Sequence, residues 1–174
     1  MDVFTNFVLK LDEIMNSKSG SPYPFTQLNL PPANLRMRQT ARGVEIYDQL
    51  RKKWLLITPE EWVRQNFISF LINHRGYSAG LMANEMSISL NGTTKRCDTV
   101  IYNRELSPLA IVEYKEPSVT LTQKVFEQIA RYNIVLKVKY LIVSNGLKHY
   151  CCEVDMLNNH YRFLSDIPMY EDIN

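Results

Sequence analysis

Between residues 58 and 144 the chain reads as helix, three strand-like runs, helix and short apolar strand. That order restricts the fold more than any other feature of the 174 residues. Thr58-Pro59-Glu60-Glu61 marks the first helix start. Thr58 suits the N-cap, Pro59 loses no hydrogen bond at the first helical position, and Glu61 completes a T-x-x-E capping box. The helix is expected to end near His74, before Gly76. At its period Val63, Phe67, Phe70, Leu71 and His74 share one apolar face, with Glu60 at its edge and Glu61 turned largely away. Residues 84–90, 96–103 and 108–115 follow as an antiparallel meander, with Asn91-Gly92 in its first turn. Val125, Ile129, Tyr132 and Leu136 then mark one face of a helix over residues 120–138. Residues 140–144 (YLIVS) are apolar enough for a strand covered on both faces. The expected fold class is α/β (α+β), with a mixed central sheet and flanking helices.

Flanking segments add to this core. Residues 1–25 read as an appendage: an amphipathic helix over 3–16, carrying Phe4, Phe7, Val8, Leu11, Ile14 and Met15, then a turn-rich linker. Residues 26–174 read as a single domain. Residues 35–57 suggest three short strands (LRMRQ, VEIYD, KWLLI). They hold Arg36, Arg38, Arg42, Arg51, Lys52 and Lys53 against Glu45 and Asp48, six cations to two acids, a local +4. This basic hairpin is either a solvated face or a phosphate-contacting edge, with Arg36, Arg38, Arg42, Lys52 and Lys53 as nucleic-acid-binding candidates. Trp54 and Trp62 are expected to pack it against the first helix, and His74 is expected in the core. Residues 148–154 and 161–164 suggest two more strands.

The whole chain carries only +2, which excludes a histone-like polycation but leaves room for a local patch. Cys97, Cys151 and Cys152 are an odd set without a disulfide framework, as expected of a reduced, cytoplasmic protein. With His149 and His160 they match no common zinc spacing. No run approaches the roughly 18 apolar residues of a membrane helix, so no membrane partner is expected.

The chemically informative stretch is Asp98-x14-Glu113-Tyr114-Lys115. Strand alternation puts Glu113 and Lys115 on the same side as Leu109 and Ile111, where the pattern predicts burial. Buried charges need partners or a metal. Asp98 lies on the neighbouring strand, within reach of Glu113 if either strand bends. Two carboxylates so placed form a hard oxygen site for Mg2+, or Mn2+ in its stead, and a nearby lysine supplies positive charge beside an attacking water. The plainer alternative is a surface salt bridge of Lys115. Gln128 and Tyr132 share a face of the following helix at i, i+4, placed to reach the end of the Glu-x-Lys strand. Glu60 is a third acid beside a core face, or else a charge favourable to the helix dipole.

Asp98…Glu113-Tyr114-Lys115 followed by Gln128-x3-Tyr132 resembles the PD-(D/E)XK nuclease superfamily in its Q-x3-Y branch. TPEEWVRQ, KRCDTVIYN, AIVEYKEP, QIARYN and IVSNG, in this order, resemble the N-terminal nuclease domain of type I restriction enzyme R subunits, in its stand-alone version, over about residues 28–155. The resemblance implies a restriction-endonuclease-like fold and Mg2+-dependent cleavage of DNA. It implies Asp98 and Glu113 as metal ligands, Lys115 as the catalytic lysine, and Gln128 and Tyr132 as an accessory pair. The family's helix acid falls on Glu60 or Glu61, and the helical wheel favours Glu60, the third candidate ligand. Cys97 stands where the family pattern has proline. No glycine opens a G-x4-G-K-S/T loop, so a motor would come from a separate helicase, translocase or modification-system subunit. A homodimer would supply the two sites of a double-strand cut. The competing expectation is a catalytically silent DNA- or protein-binding module that keeps the fold.

Overall fold

The computed structural model describes residues 26–90, 92–158 and 160–173. The helix and linker expected over residues 1–25 lie outside them. The basic segment forms an antiparallel sheet of β1 (Met37–Thr40), β2 (Gly43–Asp48) and β3 (Lys53–Leu56). Ile46 faces Met37 and Leu55 across this sheet and, with Trp62, nucleates a small apolar cluster on its inner side. Tyr47 and Trp54 pair in the alternate register, so Trp54 lies on the outer face. There its ring meets Tyr47 edge-on, and the Arg38 guanidinium sits 4.3 Å above it. Of the two tryptophans, Trp62 alone therefore joins this sheet to the helix, a correction to the expected role of Trp54.

Helix α1 (Pro59–Arg75) starts as its capping signal demands, with Thr58 Oγ1 accepting the Glu61 N–H at 3.1 Å. Gly76 closes it in the left-handed conformation. Burial along α1 runs nearly all round, because the helix lies between the small sheet and a large one. A single apolar face describes only the side toward the large sheet. The polar residues Glu61, Arg64 and Gln65 are buried as well. His74 lies exposed in the last turn, stacked on Phe70, rather than in the core.

The large sheet has six strands in sequence order: β4 (Met82–Leu90), β5 (Thr93–Tyr102), β6 (Pro108–Tyr114), β7 (Tyr140–Ser144), β8 (His149–Asp155) and β9 (His160–Leu164). Every neighbouring pair is antiparallel except β6 and β7, which run parallel and are joined through helix α2 (Gln123–Leu136). This is the expected mixed sheet, with one crossover where a parallel pair requires it. Alternation then divides the core. Ala110, Val112 and Tyr114 pack with Val63, Phe67 and Leu71 of α1, while Ile111 packs with Val125, Ile129 and Tyr132 of α2. All five residues of β7 are buried. A short helix α3 (Tyr170–Ile173), which no periodicity announced, adds Tyr170 and Ile173 to the α1 side. No helix among the described residues is long and apolar enough to cross a membrane.

Candidate active site

The ladder between β5 and β6 ends at Thr99 opposite Val112. The next step of that register sets Asp98 against Glu113, and no pair forms there. On the other side of β5 the ladder also skips a position, between Asn84 opposite Thr99 and Met86 opposite Cys97. The skipped residue, Glu85, has φ +59°, a left-handed conformation that costs a non-glycine residue about 1–2 kcal/mol. Asp98 thus sits where the sheet opens on both sides. Its Oδ2 accepts the Tyr114 N–H at 2.8 Å, and its Oδ1 accepts from Arg64 Nη2 at 3.0 Å. This opening frees Asp98 from the ladder beside Glu113, whose carboxyl feels its charge.

Glu113 lies on the α2 side and is almost wholly buried. Its Oε1 accepts from Lys115 Nζ at 2.8 Å and from Gln128 Nε2 at 2.6 Å. Gln128 Nε2 also lies 3.2 Å from the Tyr132 hydroxyl, and Lys115 Nζ lies 3.4 Å from Gln128 Oε1. Glu113, Lys115, Gln128 and Tyr132 therefore form one hydrogen-bonded group, and Asp98 stands beside it. Burial, then the charge of Asp98, pushes the Glu113 carboxyl up to about 7. Burial also raises Asp98, against the pull of Arg64. The Lys115 ammonium is raised: its bond to Glu113 and the neighbouring acids outweigh the larger single effect of burial.

The helix acids divide differently from the wheel. Glu61, expected to point away, is buried and accepts from Arg51, Arg64 and Gln65 at 2.7–3.0 Å. It is engaged in holding α1 to the small sheet. Glu60 is half exposed and lies 3.5 Å from Arg64. Burial and then Asp98 raise its carboxyl, so it does feel the site. Among the described residues, however, no three His, Cys, Asp or Glu side chains converge to hold a metal ion. The set Asp98, Glu113 and Glu60 is not drawn together as a three-carboxylate cage.

Two carboxylates remain, and Glu113 Oε2 is buried without a hydrogen-bond partner. An orphaned buried carboxylate oxygen is costly unless something occupies its lone pairs. The chemistry of the pair fits a hard divalent cation such as Mg2+, which takes one or two carboxylates and completes its shell with water or phosphate oxygens.

Arg64 is the site residue that pattern reading passed over. It also lies 3.1 Å from Glu85, so one guanidinium joins Glu61, Glu85 and Asp98. Its signal was a charge inside the window of an otherwise buried helix, within TPEEWVRQ. The basic-hairpin candidates are scattered in role. Arg38 and Arg42 both bind the buried Glu45, at 2.6 and 3.1 Å. Arg36 lies 4.4 Å over the Tyr47 ring, and Lys52 and Lys53 are exposed.

A fragment described as the HsdR subunit of a type I restriction enzyme from Vibrio vulnificus YJ016 shares the fold, with a TM-score of 0.50 at 19% identity over 66% of this chain. The chain spans about a quarter of that fragment, 24% of its length. No curated protein matches significantly. The family model for the type I restriction enzyme R protein N terminus matches residues 59–168, from the first residue of α1 through β9, and so takes in every member of the acid–lysine group. The chain belongs to the family of type I restriction enzyme R protein N-termini.

Proposed function

We propose that this chain is a Mg2+-dependent deoxyribonuclease of the restriction or DNA-processing type. The observation that carries the reading is the orphaned Glu113 Oε2, bound through its other oxygen to Lys115 and within the field of Asp98. Asp98 and Glu113 would hold the cation, which supplies Lewis-acid stabilisation of charge on the scissile phosphate. Lys115, fixed between Glu113 and Gln128, would orient the attacking water with its N–H groups. Gln128 fixes the Glu113 rotamer, and Tyr132 offers a hydroxyl to a phosphate oxygen. Glu60, half exposed at the rim, would accept a proton or order water rather than complete the cage. Membership of an R-subunit family supports DNA as substrate and a separate translocating or modification subunit as partner.

One observation favours a second reading, a catalytically silent binding module. Arg64 and the Tyr114 N–H occupy both Asp98 oxygens, and Lys115 and Gln128 occupy Glu113 Oε1, so the cluster is largely satisfied by the protein itself. Plasmid and single-stranded DNA, incubated with Mg2+ or Mn2+, separate the two. The nuclease reading expects cleavage by the wild type and none by Asp98→Ala or Lys115→Ala. An inert wild type, or variants that cut equally well, would sink it.

A further inference from the structure

Next to the acid–lysine group lies an open groove of about 540 Å³, lined by Lys95, Lys124, Glu127, Gln128, Arg131 and Tyr132. Lys124, Gln128 and Arg131 recur at i, i+4 and i+7 along α2, so they face the same way. Lys95 comes from β5, three residues before Asp98. Lys95, Lys124 and Arg131 are all exposed, and among the described residues none of them has an ion-pair partner. Glu127 is the single acid in the lining. The β1–β3 sheet contrasts with this, since Arg38 and Arg42 there are both paired with Glu45, and Asp48 and Glu61 bind Arg51.

We propose that this groove, rather than the basic hairpin, binds the sugar–phosphate backbone of a DNA strand. Seven residues of helix at 1.5 Å each carry Lys124 to Arg131 over about 10 Å. A duplex strand carries one charge per 3.4 Å or so of helix axis, and its phosphates lie farther apart than that along the winding strand itself, so the groove spans about two phosphates. Its floor leads directly to the cluster: Gln128 donates to Glu113 at 2.6 Å, and Tyr132 is its neighbour. A strand lying in the groove meets Gln128 and Tyr132, the two α2 members of that group. The assignment of the groove as substrate track rests on the nuclease reading, whereas its affinity for DNA does not.

The test is fluorescence anisotropy with the full chain, using a short labelled duplex and its separated single strand, in EDTA and over a series of salt concentrations. The variants are the triple Lys95→Gln/Lys124→Gln/Arg131→Gln and, as an exposed-charge control, Lys52→Gln/Lys53→Gln. Circular dichroism and melting report the fold of each, and the single charge reversal Arg131→Glu stands in should the triple variant not fold. The triple variant is expected to bind duplex about 10-fold or more weakly. Its slope of log K against log salt should shrink by about 2, because each lost phosphate contact removes about 0.9 for duplex and 0.7 for single strand. Arg131→Glu should weaken binding about 5-fold, and the control should stay within about 2-fold of wild type.

A folded triple variant with wild-type affinity and slope overturns the proposal. So does loss confined to the Lys52/Lys53 variant, or a wild type that ignores DNA at low salt. Cleavage assays with Mg2+ on the same proteins separate this proposal from the nuclease reading. Binding lost with the groove cations, from a wild type that never cuts, keeps the DNA site and sinks the nuclease. Cutting by the wild type, with equal binding and an equal KM in the triple variant, does the reverse.

Discussion

Arg64, on the first helix, donates to Asp98 Oδ1 at 3.0 Å across the opening of the sheet. The same guanidinium holds the buried Glu61 at 2.7 Å, so it ties the candidate site to the small sheet through Arg51. Replacing Arg64 with Leu leaves the largely buried Asp98 without its hydrogen-bonded cation and takes one of two cations from Glu61. Breaking a buried pair from one side costs about 3–5 kcal/mol. The urea midpoint of Arg64→Leu should fall accordingly. A midpoint close to wild type would show that water reaches this network freely.

The Glu113 carboxyl is raised from an ordinary 4.5 to about 7 by burial and by Asp98. The folded state therefore holds a proton between those values that the unfolded chain releases. Stability from this group is full below about pH 4.5 and is lost as pH rises through 7. The shift corresponds to on the order of 3 kcal/mol at most. Glu60 and Asp98, also raised, act in the same direction. His149, lowered by burial, opposes them, because its neutral folded form gains as pH rises toward 6.5. The difference between wild type and Glu113→Gln isolates the carboxyl. In EDTA, urea unfolding at pH 5 and pH 8 should show the variant losing markedly less stability over that interval. Identical pH profiles for the two proteins would refute the buried, protonated Glu113.

The same orphaned oxygen gives a prediction for metal. A cation that binds the folded site alone stabilises it by mass action. Mg2+ or Mn2+ should raise the melting temperature of wild type at pH 8, above the value of about 7 to which Glu113 is raised, and do so less at pH 5. Asp98→Asn and Glu113→Gln should abolish the shift. Equal shifts in wild type and both variants would place the ion elsewhere.

Lys115 contacts both Glu113 and Gln128, so its replacement by Met removes a donor from the centre of the group. Positioned proton donors contribute about 10²–10⁴-fold to rate. Lys115→Met should lower the single-turnover cleavage rate by at least about 100-fold, with DNA affinity in EDTA nearly unchanged. Gln128→Ala should lower the rate less. A lysine variant that cuts normally would return Lys115 to the role of a plain ion pair.

Gly146, in the turn after β7, has φ +81°, and an added Cβ would lie 2.6 Å from Leu28 Cδ2 and 3.1 Å from Val63 Cγ2. The left-handed backbone costs Ala about 1–2 kcal/mol before any clash. Leu28 is flexible at its tip and can yield, but the turn is also anchored, since the Gly146 carbonyl accepts the Asn29 N–H at 2.7 Å. Gly146→Ala should destabilise by roughly 2 kcal/mol in chemical denaturation, the backbone cost plus a small steric one. A neutral outcome would mean that the 26–35 segment lifts away from α1.

Much of this architecture was legible locally. The Thr58–Glu61 cap, the period-two runs of β4 to β6 and the wholly apolar β7 each act within a few residues, and each appears where its pattern put it. Glu113, Lys115, Gln128 and Tyr132 were legible for the same reason: one strand and the helix after it set their faces. The helix acids were not. A wheel records one buried face, whereas α1 is covered from two sides, and the second covering sheet turned Glu61 inward.

Local periodicity, then, settled the elements, their order and the strand that carries the acid and the lysine, because side-chain direction follows from backbone repeat alone. Tertiary structure decided what those charges meet. Asp98 meets Arg64 and the Tyr114 N–H because the ladders open on both sides of it, at Glu85 and beyond Thr99. Arg38 and Arg42 share the one carboxylate of Glu45, which is folded against them, while Lys95, Lys124 and Arg131, unremarkable as neighbours in sequence, line one groove. Burial and pairing of charge are properties of distance in space, and residues far apart along the chain acquire them only when the sheet and both helices have packed.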